Sequence, residues 1–234
     1  MNNKLISVAV PTFNRFDLLK ACVGEIINDP RVGEVVITDD CSMPNIYDNV
    51  KQWAAQHENI TLHRNVKNLD CYANKAHAVS LCHYDRVILF DSDNLLSKNY
   101  IDKLYEQFPW EDNTVYCPTF AMPHFDYTQF NGSIISKSTV RHLMDNDTFK
   151  TALNTANYFV PREAYLQVFN PNIDPHTADS IYMAYRFLEA GYQLAFIKDL
   201  HYYHRVHDGS HYKNNVHKTG NQAAQIEMKL KGLK

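Results

Sequence analysis

Asp91 and Asp93 stand one residue apart at the end of Arg86-Val87-Ile88-Leu89-Phe90, a run that is apolar from Val87 onward. A strand this apolar is buried on both faces. Burying an unpaired carboxylate costs several kcal/mol, so the strand must deliver its carboxylates to water, a cation or a ligand. An Asp-x-Asp pair on a surface turn is commonly just solvated, but here other apolar runs also end in polar groups, at Pro11-Thr12-Phe13-Asn14-Arg15, Thr38-Asp39-Asp40 and Arg64-Asn65. Paired carboxylates in that setting suit a hard divalent cation, Mg2+ or Mn2+, that also takes diphosphate oxygens. Glycine-based phosphate cradles are excluded: Gly24, Gly33, Gly132, Gly191, Gly209, Gly220 and Gly232 all lie away from the loop after the first strand, so neither a P-loop nor a GxGxxG motif is present. The charge of a phosphate ligand must then be met by a metal ion and side chains. A further group, His201, His204, His207 and His211 in HYYHRVHDGSHY, has no cysteine partners and reads as a strand running into a loop rather than a zinc site. Asp179 opens a helical stretch, where aspartate is commonly a cap or a dipole partner.

To bring these strand ends together the chain needs a parallel sheet. Its N-terminal part alternates LISVAV, FDLLKACVGEII, EVVIT, IYDNVKQWAAQ, ITLHR, CYANKAHAVSLC and RVILF, the rhythm of strands joined by crossover helices. In the first helical segment Leu18, Cys22 and Ile26 form one stripe and Leu19, Val23 and Ile27 another beside it, a face laid on a sheet and ended by Asp29-Pro30. Open sheets of this kind bind ligands beyond the carboxyl ends of their strands, where the polar clusters lie. From about Asn113 the rhythm loosens. A clear helix returns from Asp179 to Ala190, with Ile181, Ala184, Tyr185 and Leu188 on one face and Gly191 at its C-terminal cap. No linker rich in Pro, Gly or Ser and no repeat interrupts the chain, which predicts one domain.

With 234 residues, 45% hydrophobic and 21% charged, the chain can bury one large core. A formal net charge of -3, with Lys and Arg scattered except near the C-terminus, argues against a nucleic-acid partner. The start, MNNKLISVAVPTFNR, has only a short apolar run broken by Pro11 and no signal-peptide pattern, and no run reaches the ~18 apolar residues of a membrane span. The expected location is cytoplasmic. Cys22, Cys41, Cys71, Cys82 and Cys117 are odd in number, widely spaced and without a CxxC pair, so they are expected to be reduced rather than a disulfide framework.

ISVAVPTFNRFDLLKACVGEI, VVITDDCS, NVKNLDCYANKAHAV and ILFDSDN occur in the order and spacing of a family 2 glycosyltransferase, and residues 5 to 94 resemble the nucleotide-binding half of that family's GT-A fold. The resemblance implies an α/β domain with a Rossmann-like, mostly parallel central sheet flanked by helices, here over residues 1–218, with 1–94 binding the nucleotide, 95–218 facing the acceptor and 219–234 a C-terminal helix or tail. It implies that Pro11, Thr12, Asn14 and Arg15 with Asp39 hold the base and ribose, that Asn68 belongs to the same donor site, and that Lys75 approaches the diphosphate. Asp91 and Ser92 fall to ribose or supporting contacts, and Asp93 to the metal, Mn2+ or Mg2+. The chain departs from the family pattern at Cys41 and Asp70, which stand where glycine is usual.

LNTANYFVPREAYLQV and TADSIYMAYRFLEAGYQLAF resemble the family's acceptor half, in which the second residue of a Glu-Asp pair is the catalytic base; Ala178-Asp179 stands there, so the resemblance assigns the base to Asp179. By the same resemblance the stretch around Arg205, His207 and Ser210 closes over the diphosphate, with His207 as a metal ligand and His204 its competitor. The activity implied is inverting, metal-dependent transfer from a nucleotide-sugar, a UDP-sugar first and GDP- or dTDP-sugars as alternatives, to a hydroxyl on a glycan or lipid-linked acceptor in polysaccharide or glycan synthesis. Two other readings are weighed against it. A haloacid-dehalogenase-type phosphatase also has Asp-x-Asp after an apolar strand, but near its N-terminus and with Thr or Val where Leu95 stands. A catalytically silent sugar-nucleotide binding module is compatible with Ala178 and Asp70. Finally, NQAAQIEMKLKGLK forms a helix with Ala223, Ile226, Leu230 and Leu233 on one side and Lys229, Lys231 and Lys234 close by. That stripe predicts packing onto the domain or a second subunit of a homo-oligomer, with a weak peripheral membrane contact as the alternative.

Overall fold

The computed structural model describes residues 4–155, 157–206 and 216–233, with side chains of the last helix from residue 220 onward. Its elements run β1 (Ile6–Thr12), α1 (Phe16–Val23), β2 (Val32–Asp39), α2 (Pro44–Ala54), β3 (Ile60–Arg64), α3 (Asp70–Ser80), β4 (Arg86–Leu89), α4 (Lys98–Tyr105), β5 (Thr114–Cys117), β6 (Phe120–Met122), β7 (Phe125–Asp126), β8 (Ile134–Ile135), α5 (Asp147–Leu153), β9 (Phe159–Pro161), α6 (Arg162–Val168), α7 (Asp179–Glu189), β10 (Gln193–Phe196), β11 (His201–Tyr203) and α8 (Val216–Lys231). The large sheet has the order β3-β2-β1-β4-β9-β5-β10-β8, and β11-β6-β7 form a smaller one. β1 is buried at every position except Pro11, and β4 throughout, as strands flanked on both sides and covered on both faces must be.

β1 pairs in parallel with β2 on one side and β4 on the other, so the chain order reverses at β1 and a crevice opens between the ends of β1 and β4. β9 is inserted antiparallel between β4 and β5, which joins the two halves of the chain in one sheet. The expected first helix is shorter than its apolar stripe: α1 ends at Val23 before Gly24, a poor helix former, and turns carry Ile26 and Ile27 into the same core. Gly191 follows α7 at φ +92, the left-handed conformation that suits glycine after a helix.

α8 lies on α7, with Ile226, Leu230 and Leu233 buried and Lys231 Nζ 2.7 Å from Asp145. Its apolar stripe is thus covered by the domain itself, which leaves a lipid surface little of it to hold. Among the described residues no helix is long and apolar enough to cross a membrane. All five cysteines are free thiols.

Candidate functional site

The crevice at the strand ends is a cleft of about 220 Å3. Pro11, Thr12 and Arg15 line it from the loop after β1, Asn68 and Lys75 from α3 and the turn before it, and Asp91 and Ser92 from the turn after β4. The strand ends are sewn together by the main chain: Asp40 donates to the Thr12 carbonyl at 2.8 Å, and Asn65 to that of Asp39 at 2.9 Å.

Lys75 is the centre of the charge arrangement. It is a buried lysine whose Nζ lies 2.8 Å from Asp179 Oδ2 and 3.0 Å from Asp91 Oδ1. Burial opposes its charge, but Asp179 and Asp91 outweigh that and hold the ammonium charged, well above the usual lysine range. Asp91 is pushed above the usual carboxylate range by burial, with Lys75 opposing and Asp93 and Asp179 adding to the rise. Asp179 is the first residue of α7 and does not cap it: Ala178 is the N-cap, with no side-chain cap bond. The carboxylate turns instead to Lys75, 104 residues away in sequence.

Asp93 faces Arg15, with Asp93 Oδ2 2.5 Å from Nη1. Two carboxylates on one turn, each held to a side-chain cation, mark a place where positive charge is stabilising, and their hard oxygens fit a divalent ion. Ser92 Oγ between them is buried without a hydrogen-bond partner, as are Thr12 Oγ1 and Asp39 Oδ1. Native proteins leave few such atoms unpaired, and those at a cleft point to a polar ligand. A divalent ion takes more oxygens than these carboxylates supply, so diphosphate, water and an imidazole would complete its shell. His207 lies outside the described residues. His204 instead packs against His124, Nδ1 to Nδ1 at 3.0 Å, and against the ring of Phe125.

The acidic pair after β2 divides. Asp39 is fully buried, accepting from Ser42 N at 3.1 Å, with Arg64 Nε 3.7 Å away. Asp40 is the member on the cleft wall, fixed by Asn65 Nδ2 at 2.7 Å and Leu69 N at 2.8 Å, and its pKa is raised by burial. Asn14 serves the loops: at φ +53 it accepts from Met43 N through Oδ1 at 2.8 Å while its own N–H donates to Ser42 Oγ at 2.8 Å. Asn68 Oδ1 accepts from Asp70 N at 2.9 Å and sets the start of α3. Cys41 and Asp70 adopt φ of +64 and +65, so the backbone keeps glycine-like geometry at both positions.

Two further residues support the turn: Arg205, which the resemblance places only in the segment over the diphosphate, and Asn157, which carries no local signal in the sequence. Arg205 donates through Nε to the Asp93 carbonyl at 2.6 Å and through Nη2 to those of Leu18 at 2.7 Å and Asn94 at 3.0 Å, clamping the Asp91–Asn94 turn to α1. Asn157 accepts from Asp91 N at 2.7 Å. At the cleft rim His176 lies 3.2 Å from Asp174 and 3.8 Å from Asp70, tying the approach to α7 to the start of α3.

The model of the family described as Glycosyl transferase family 2 matches residues 7–169. The chain is 23% identical over 226 residues to "Glycosyltransferase GlyG" of Streptococcus pneumoniae serotype 4, covering 89% of this chain and 73% of that one. Among solved structures, S. aureus TarS 1-349 in complex with UDP-GlcNAc superposes with a TM-score of 0.70 at 15% identity, over 96% of this chain and 66% of that one. The mannosyltransferase PcManGT from Pyrobaculum calidifontis, in complex with GDP-Man and Mn2+, gives 0.66 at 15% identity, over 96% and 62%. The chain therefore spans just under two thirds of the length of these solved relatives, and at this identity the likeness is one of fold.

Proposed function

Because the chain belongs to glycosyl transferase family 2, we propose that it moves a sugar from a nucleotide-sugar to a hydroxyl of a glycan or lipid-linked acceptor, with inversion at the anomeric carbon. A UDP-sugar is the first candidate donor, as TarS is solved with UDP-GlcNAc, and a GDP-sugar the second, as PcManGT is solved with GDP-Man. The observation that carries the reading is Asp179: this carboxylate, from the second half of the chain, lies 2.8 Å from the Nζ of Lys75, which lines the cleft.

In this mechanism Asp179 accepts the proton of the acceptor hydroxyl as its oxygen forms the bond to the anomeric carbon, and the bond from that carbon to the diphosphate breaks with its electron pair going to the diphosphate. The loop of Pro11, Thr12 and Arg15, with Asp40 and Asn68 on the same wall, orients the nucleoside, and Asp39 holds the loop behind it through Ser42. Lys75 and Arg15 meet diphosphate charge, while Asp91 and Ser92 hold the ribose side. Asp93, with His207, would hold Mn2+ or Mg2+, which supplies stabilisation of charge on the leaving diphosphate. Work of this kind is placement and electrostatics, with no covalent intermediate.

The test is a panel of UDP-, GDP- and dTDP-sugars, with Mn2+ or with EDTA, read by thermal shift and by release of the nucleoside diphosphate. One donor class should raise the melting temperature and turn over, and Asp179→Asn should show at least as large a shift while transfer falls by about two or more orders of magnitude. A full transfer rate in Asp179→Asn would remove the base from this position. Binding without turnover in the wild type would leave a sugar-nucleotide binding module.

A further inference from the structure

Lys75 is bound at once to the residue read as the base and to a carboxylate of the donor cleft. An ammonium has three N–H donors and no more, and it carries a single charge. Here it is shared by two carboxylates, Asp179 and Asp91, and Lys75 also lines the cleft where a diphosphate would lie. An anion entering that cleft competes with Asp179 for the same charge. While Asp179 holds the ion pair, its Oδ2 is occupied by Lys75 and is a poor acceptor for a hydroxyl proton.

We propose that Lys75 is a positioning residue that makes the base conditional on donor occupancy: in the donor-free protein it masks Asp179, and a nucleoside diphosphate in the cleft draws the ammonium away and leaves Asp179 to the acceptor. This rests on the glycosyltransferase reading above. The device protects the site from binding acceptor productively before donor. It also means that forming the ion pair opposes donor binding. Asp179 and the diphosphate are rivals for Lys75, although neither needs to touch the other.

That rivalry gives a test that needs no acceptor and no identified sugar. The probes are UDP and GDP, each with Mg2+, and the readout is their affinity by calorimetry for wild type, Asp179→Asn, Lys75→Met and the double variant. Asp179→Asn should bind the nucleotide about 3- to 10-fold more tightly than wild type, because Lys75 is released, and Lys75→Met should bind at least tenfold more weakly. In the Lys75→Met background Asp179→Asn should bring no such gain; an equal gain there would mean that Asp179 acts by bulk charge alone and overturns the proposal, as would unchanged or weaker binding in Asp179→Asn. If Lys75→Met does not fold, 15N-lysine spectra of the wild type decide the matter, with the Lys75 ammonium signal assigned by its loss in Lys75→Arg. The ammonium signal should carry a hydrogen-bond coupling to Asp179 without nucleotide and lose it with UDP or GDP bound, and a coupling that survives saturation overturns the proposal. Failure of both nucleotides to bind wild type would instead defeat the donor-site reading, and this inference with it.

Discussion

Arg205 donates from Nε to the main-chain carbonyl of Asp93 at 2.6 Å, joining the segment after β11 to the turn that carries both carboxylates of the Asp-x-Asp motif. Its Nη2 reaches Leu18 at 2.7 Å and Asn94 at 3.0 Å as well, so one guanidinium reinforces the main-chain bonds that pair Leu95 with Tyr203 and run from Leu96 to Cys22. A planar fork with five donors can do this and a lysine cannot. Arg205→Ala is expected to destabilise the fold by roughly 2 to 4 kcal/mol, and Arg205→Lys to recover only a minor part, as the loss of several charge-assisted bonds to half-buried carbonyls requires. Urea unfolding measures both. A loss within about 0.5 kcal/mol for Arg205→Ala, the range of an ordinary surface change, would show that the turn stands without its clamp.

Cys41 sits at φ +64, where a side chain with a Cβ is strained and glycine is not. Cys41→Gly should raise stability by about 1 kcal/mol, or a melting temperature higher by roughly 2 to 4 °C. Asp70, at φ +65, is better suited to that conformation, and its Oδ1 accepts from Cys71 N at 2.8 Å, so Asp70→Gly should bring little gain. A drop in melting temperature for Cys41→Gly would mean that the thiol contributes more than its backbone costs.

Asp93 is expected to bring the divalent ion to the diphosphate. In Asp93→Ala the stabilisation of the protein by UDP should no longer depend on Mn2+, because a carboxylate cluster without its cation repels the diphosphate. Thermal shift with Mn2+ and with EDTA reads this directly. Undiminished Mn2+ dependence would take Asp93 out of the metal site, and a larger effect of His204→Ala than of His207→Ala would move the imidazole ligand to His204.

Glu34 predicts how the protein responds to acid. Burial works against its charge, but bonds from His83 N at 2.6 Å, Ser7 Oγ at 2.6 Å and His83 Nδ1 at 2.8 Å win and hold its carboxyl below the usual glutamate range. A carboxylate depressed in the folded state contributes stability that is present above its unfolded pKa and is lost as pH falls through the folded one. The contribution of Glu34 should therefore be complete above about pH 4.5 and drain away below it. The urea midpoint followed from pH 6 to about pH 3 should fall less steeply in Glu34→Gln than in wild type. Parallel curves would show that the Glu34 cluster contributes nothing to acid unfolding.

The first four strands, the helices between them, α7 and α8, and the strand ends where chemistry gathers are legible in the sequence, because hydrophobic periodicity and the change to polar residues are local properties of the chain; the short strands that follow Asn113 are not. ITLHR is β3 residue for residue, and RVILF leads to its two carboxylates as a buried strand should. The end of the first helix was less legible, since Ile26 and Ile27 are buried whether the backbone there is helix or turn. The resemblance assigns the donor contact to Asp39, whereas the structure buries Asp39 and lines the cleft with Asp40: neighbouring residues at a strand end point to opposite sides, and only the packing of β2 beside β1 chooses between them. Tertiary structure also decided that Asp179 is a partner of Lys75 rather than a helix cap, and that Arg205 is the clamp of the turn at Asp93. Those contacts join residues about a hundred places apart, and they exist because β9 and α7 pack the second half of the chain against the strand ends of the first. A sequence pattern records what each segment buries, but not which segments meet, and an ion pair between distant residues is a consequence of the meeting.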